Sequence, residues 1–149
     1  MSADHTSAAT AQARGPTLRD LDPAQALRLL GTVTLGRIVF TQHALPTIRP
    51  VNHIVHNGDI IVRTHHGTAL AAYLDNATTT TGVVVAYEAD TIDPDTRLGW
   101  SVVATGYARL ITDPHQLLPY QRLQPWTGQA TDCAVRIHPE LITGRQLTR

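Results

Sequence analysis

Apolar and polar residues alternate most clearly between Val51 and Thr64, in VNHIVHNGDIIVRT, with Asn57-Gly58 at the centre. An Asn-Gly pair supplies the two positive-φ residues of a type I′ turn, so the segment reads as a β-hairpin. That turn predicts His56 facing Asp59, Ile54 facing Ile61 and Asn52 facing Arg63. Val51, His53 and Val55 then share the other face with Ile60, Val62 and Thr64. Residues 34–41, TLGRIVFT, form a predicted strand ahead of it. Pro46 and Pro50 bracket the entry to the hairpin; Pro50 has no N–H for a ladder and marks a strand start or an edge. TTTTGVVVAYEA, 78–89, is β-branched and reads as a well-buried strand. GWSVVATGYARLIT, 99–112, reads as another, bent at Gly106. Asp132 to Ile137 and Leu141 to Leu147 are the last strands, separated by His138-Pro139.

Helical signals are short. Asp22 caps a helix that has Pro23 in its first turn, Leu21, Leu27 and Leu30 on one side and Gly31 as its stop. Gly67-Thr68 opens ALAAYL, a second short helix ending near Asn76. Asp93-Pro94-Asp95 makes a turn, and Asp113-Pro114 starts a helix that stops or kinks at Pro119. Six or seven strands without regular βαβ alternation predict a mostly β chain, a small antiparallel barrel with a few short helices.

Composition narrows the classes. A chain of 149 residues suits one domain. Its net charge is zero, and no basic stripe suggests nucleic acid. No apolar run approaches the roughly 20 residues that span a bilayer. The first 17 residues are small and polar, without an apolar h-region, and read as a disordered tail rather than a secretory signal. The expectation is a soluble cytoplasmic protein. Cys133 is the single cysteine, so an intrachain disulfide and a four-cysteine metal site are excluded. All 12 basic residues are arginine. Without lysine there is no Schiff base to pyridoxal phosphate and no GxxxxGK nucleotide loop. GxGxxG is absent as well, which leaves a Rossmann site unsupported.

The candidate chemistry is sparse. Eight histidines invite a metal, but His65 and His66 are adjacent, His53 and His56 fall on opposite strand faces, and no HExxH occurs. The expectation is therefore no metal site. His65, between the hairpin and the Gly-Thr helix start, reads either as a cofactor or substrate contact or as a plain loop side chain. Cys133 sits inside an apparent strand, where a buried inert thiol is the common state. Glu88 and Asp90 share a face at a strand end, where solvation is the simpler role than acid–base work. No catalytic side chain stands out. Arg49 and Arg63 flank the hairpin strands, and a planar guanidinium suits bidentate phosphate contacts. Thr64 and Thr68 can add hydroxyls, although spacing alone favours ordinary surface residues. Trp126, in a Pro-Trp-Thr-Gly loop, needs something to cover: a planar ligand, a partner subunit or its own core. Trp100, inside a strand, reads as core.

As a set, GRIVF (36–40), RPVNHIV with its NGD turn, RT..GT.L (63–70), VAYEAD, DPDTRLGWSVVATGYA (93–108) and VRIHPELITGRQL (135–147) resemble the pyridoxamine 5′-phosphate oxidase-like flavoproteins. The likeness is closest to the actinobacterial branch that includes nitroimidazole-resistance-type proteins. It implies a split β-barrel of the FMN-binding type over residues 18–149, and a homodimer with two FMN sites at the subunit interface. Under it Arg49, Pro50, Val51 and Asn52 run along the edge of the flavin ring. Arg63, Thr64 and Thr68 meet the FMN phosphate, with His65 beside them, and Trp126 caps the ring or comes from the second subunit. The implied activity is an FMN-dependent oxidoreductase with a small-molecule redox substrate, and a nicotinamide or a deazaflavin as its redox partner. One departure stands out: many relatives carry lysine where this chain has Ala69. Loss of that charge, with the histidine-rich stretch 53–66, motivates the alternative of a non-catalytic ligand- or haem-binding stress-response protein with weak or lost FMN binding.

Overall fold

The computed structural model describes residues 15–65, 67–77, 81–123 and 132–149. Seven strands are present: β1 (Thr17–Leu21), β2 (Leu35–Gln42), β3 (Leu45–His56), β4 (Asp59–Thr64), β5 (Val83–Ile92), β6 (Gly99–Ile111) and β7 (Cys133–Thr148). Three short helices accompany them: α1 (Pro23–Leu30), α2 (Ala69–Asp75) and α3 (Pro114–Leu117), the last followed by a 3₁₀ turn over Leu118–Tyr120. The order β1-β7-β4-β3-β2-β5-β6, with β7 also paired to β6, closes strands β2 to β7 into an antiparallel barrel. β1 adds to the second half of β7, from Thr17↔Thr148 to Leu21↔Gly144.

Strand alternation builds the core. Ile38, Phe40, Ile60, Val62, Val85, Tyr87, Val102, Val135 and Ile137 point inward and are buried. α1 closes one end with Ala26 and Leu30, and α2 contributes Leu70 and Leu74. A smaller cluster lies outside β4, where Tyr120 covers Ile61, Ile111 and Ala134. Trp100 belongs to the core, as its place in a strand predicts. Asp22 caps α1 through the expected box: its carboxylate accepts from the Gln25 N–H at 2.8 Å.

Three features differ from the sequence reading. β7 is continuous where two strands are predicted, because the Pro139 region is absorbed as a bulge. Gly106 pairs with Pro139 and Thr105 with Leu141, leaving Glu140 unmatched. Gly106 is required there, since a Cβ would lie 2.0 Å from the His138 carbonyl oxygen. β3 begins at Leu45 and runs through Pro46 and Pro50, so Pro50 marks an edge, one of the two expected roles, and not a strand start. A strand also forms at Thr17–Leu21, so regular structure begins inside the end of the segment expected to be a tail. The first 14 residues of that segment lie outside the described ones, as does Trp126. Among the described residues, no helix is long and apolar enough to cross a membrane.

Candidate functional site

The hairpin turn forms as Asn-Gly predicts, with φ of 51° at Asn57 and 82° at Gly58. His56↔Asp59 and Ile54↔Ile61 pair as expected. The predicted Asn52–Arg63 pair does not form, because the β3–β4 ladder ends at His53↔Val62. Beyond that point β4 follows β7, through Arg63↔Ala134 and Thr64↔Cys133. β3 follows β2 instead, from Leu35↔Asn52 to Gln42↔Leu45. The barrel therefore splits here, with residues 45–52 on one lip and residues 63–68 on the other.

The backbone of the β3 lip has a definite polarity. The His53 N–H donates to the Thr34 carbonyl at 2.8 Å, toward β2. By alternation, residues 46, 48, 50 and 52 turn their backbone groups to the open edge. Two of these are proline, so the edge offers more acceptors than donors, which is why prolines fit inside this strand. Arg49 shares a face with Ile38, its partner on β2. Its guanidinium is exposed, donates to its neighbour's Ile48 carbonyl at 3.0 Å, and has no anionic partner among the described residues. Asn52 donates its side-chain amide to the Thr34 carbonyl at 3.3 Å. Pro50 is exposed and Val51 half-buried against the core.

On the other lip, Thr64, His65 and Thr68 come together. The Thr64 and Thr68 hydroxyl oxygens are 3.0 Å apart. Thr68 donates to the His65 carbonyl at 3.0 Å and accepts from the Ala71 N–H at 3.1 Å, capping α2. With its own proton so used, Thr68 receives the Thr64 proton. The His65 Nδ1 accepts from the Gly67 N–H at 3.1 Å, which leaves Nε2 to carry the ring proton as a donor. Arg63 is on the opposite side of β4 from Thr64 and donates to the Leu123 carbonyl at 3.2 Å. The structure thus unites the hydroxyls and the imidazole, and directs Arg63 toward Leu123. Ala69 is exposed at the first position of α2, next to this group.

Sequence reasoning missed the role of His53. It is fully buried, Nε2 donates to the Leu30 carbonyl at 2.8 Å, and Nδ1 accepts from the Tyr87 hydroxyl. Burial drives its pKa down, partly opposed by the Leu30 carbonyl, so the ring is neutral near pH 7. Burial, and then the Glu88 charge, raise the Tyr87 pKa and keep the phenol protonated. Tyr87 crosses directly over Gly36, where a Cβ would collide with the ring. The pair therefore ties α1, β3 and β5 together one residue from the flavin-edge candidate Asn52. The signal was present: His53 occupies an apolar-face position between Val51 and Val55.

Glu88 is also more than a solvated strand end. Its pKa is pushed up to about 7 by burial and by a hydrogen bond with Asp90, while Arg37 pulls it down less. Cys133 is buried, and burial followed by the Asp132 charge pushes its thiol up to about 12, an inert state. Among the described residues, no group of three or more histidine, cysteine or carboxylate side chains is placed to hold a metal.

A closed antiparallel barrel that parts at one mouth, with a hydroxyl–imidazole cluster on the lip, defines a split-barrel protein of the flavin-binding type. The chain belongs to the pyridoxamine 5′-phosphate oxidase family, whose model matches residues 22–146. It is 52% identical over 126 residues to an uncharacterized protein of Mycobacterium tuberculosis, Rv0080, covering 84% of this chain and 82% of that one. Among solved structures, a Corynebacterium glutamicum protein ascribed to the pyridoxamine 5′-phosphate oxidases superposes with TM-score 0.73 at 31% identity, over 91% of this chain and 96% of that one. The FAD-binding protein of Mycobacterium smegmatis does so with TM-score 0.64 at 31% identity, over 87% and 98% of the two chains.

Proposed function

We propose that the protein is a flavin-dependent oxidoreductase that binds FMN in the split of the barrel. The observation that carries this reading is the parting of β3 from β4 at His53↔Val62, with Thr64, His65 and Thr68 gathered on one lip. These residues suit the anionic end of the cofactor. The two hydroxyl protons, now spent inside the loop, turn outward at little cost, and His65 Nε2 is already a donor. Arg49 brings a guanidinium to the other lip, and the carbonyls of 46, 48, 50 and 52 suit the N–H edge of a flat ring. FAD binding by a relative with 31% identity supports a flavin, and FMN is our choice within that class because the sequence resemblance is to FMN-binding split barrels. When bound, the flavin supplies the hydride and electron chemistry. The chain binds, orients and shields it, so no catalytic side chain is needed among the described residues. A nicotinamide or a deazaflavin is the proposed redox partner of a small-molecule substrate.

The active form is a homodimer in this reading. Val84 and Leu141 are 58% and 61% exposed on the outer barrel wall, beside Val103 and Tyr107. Such a patch on so small a barrel suits a second subunit that completes the cleft.

The test is the visible spectrum of the purified protein and quenching of FMN, FAD and riboflavin fluorescence on titration. Micromolar FMN binding, weaker for riboflavin and lowered by Thr64→Val, is expected. Equal binding of FMN and riboflavin would remove the phosphate assignment, and no quenching by any of the three would remove the flavin. The alternative without turnover finds less support among the histidines than the sequence suggests, since both ring nitrogens of His53 are occupied.

A further inference from the structure

β6 and β7 set four polar side chains on one face as two neighbouring pairs. Tyr107 stands opposite His138, and Arg109 opposite Arg136. Directly opposed residues of an antiparallel pair point the same way, and like charges so placed repel. Two facing guanidiniums are stable company only with an anion near both. Arg136 has part of one: Asp59 lies 3.9 Å away, and the Tyr120 hydroxyl accepts from it at 3.2 Å. Arg109 is exposed and has no anionic partner among the described residues.

This block lines a groove of about 430 Å³, a size that suits a small molecule. Its lining is of two kinds. Arg109 and Arg136 are donors, whose planar forks match phosphate oxygens. The rest of the charged lining accepts. Asp59 and His138 Nδ1 hold each other at 2.8 Å, so Nδ1 carries a proton and Nε2 is left without a partner among the described residues. Glu140 is the unmatched residue of the β7 bulge, a device that re-aims a side chain, and it is exposed on the same groove with no ion pair among the described residues. Tyr107 adds a partly exposed ring.

We propose that this groove binds a phosphorylated polyhydroxy compound of the sugar-phosphate type. The phosphate lies between Arg109 and Arg136 and relieves their repulsion. Hydroxyl groups donate to Glu140 and to His138 Nε2, and the carbon face of the sugar covers Tyr107. A bare anion satisfies the arginines but is repelled by Glu140, and an uncharged sugar leaves the arginines opposed. The groove is separate from the mouth of the barrel, since Asp59 is five residues from Thr64 along β4, about 17 Å.

Isothermal titration calorimetry with glucose 6-phosphate, inorganic phosphate and glucose tests this. Glucose 6-phosphate is expected to bind about tenfold or more tighter than either of the others. Arg109→Gln is expected to weaken it by about tenfold, and Glu140→Gln to weaken it several-fold without weakening inorganic phosphate. Thr64→Val is expected to bind it as the parent does. Without ligand, Arg109→Gln is expected to unfold at the same temperature as the parent or higher, because a repulsion is removed. Inorganic phosphate binding as tightly as the sugar phosphate would mean a bare ion only and overturn the proposal. So would affinity that survives Arg109→Gln, affinity lost in Thr64→Val, or a lower unfolding temperature of Arg109→Gln, which would make Arg109 a prop of the fold. The flavin titration stands apart from each of these results.

Discussion

One tautomer of His53 is fixed by its surroundings, and that makes acid stability predictable. The folded ring refuses a proton that the unfolded chain accepts below its ordinary value of 6.5. Stability is thus expected to fall as pH drops below 6.5, measured by urea denaturation. Glu88 acts in the opposite sense. Its folded value of about 7 lies above the ordinary 4.5, so the folded chain holds a proton that the unfolded chain has lost between those values. Its contribution therefore grows as pH falls from 7 toward 4.5. Glu88→Gln removes that gain, and a steeper loss of stability between pH 7 and pH 5 is expected in the variant. Tyr87→Phe deletes the donor to a buried nitrogen while keeping the ring, for an expected loss of about 1–3 kcal/mol. Ala69→Lys adds an ammonium beside Thr64 and Thr68. A charge-assisted contact worth about 1.5–3 kcal/mol tightens FMN roughly ten- to a hundredfold, and fluorescence titration reads it. No tightening would mean that the anionic end lies elsewhere.

Among the elements, those governed by local chemistry were legible in the chain. Asn57-Gly58 set the hairpin and its register near the turn, and Asp22-Pro23 set the start of α1. What required the whole barrel was not legible. Nothing near Asn52 and Arg63 tells that their strands part, because each leaves for a different third strand. Pro139 looks like a break, and it became a bulge because β6 offers Gly106 opposite it. Of the candidate site, Thr64, His65 and Thr68 were legible from the loop preceding α2. The direction of Arg63 was not, because its partner at Leu123 is 60 residues away. The bulge gives its own test. Gly106→Val forces a side chain into the His138 carbonyl, and hydrogen exchange is expected to speed up along the β6–β7 ladder.

At the scale of the molecule, one wall and one mouth have different uses. The wall of β5 and β6 is apolar between charged ends and suits another protein surface. The mouth is polar and suits a small anion attached to a ring. The dimer proposed on this wall would leave the barrel's own closure untouched, so a charge placed there by Val103→Glu is expected to weaken association without shifting the midpoint of protomer unfolding, measured at concentrations where the parent is also monomeric.

The mouth has a further consequence through its two imino acids. A bare strand border is the natural template on which stray chains stack into fibrils, and here Pro46 and Pro50 interrupt that template at every second exposed rung. The opening can stay unzipped for a guest without recruiting neighbours. Giving both positions an amide hydrogen, as Pro46→Thr with Pro50→Thr, would trade that safety away, and slow growth of light scattering in concentrated solution is the expected sign.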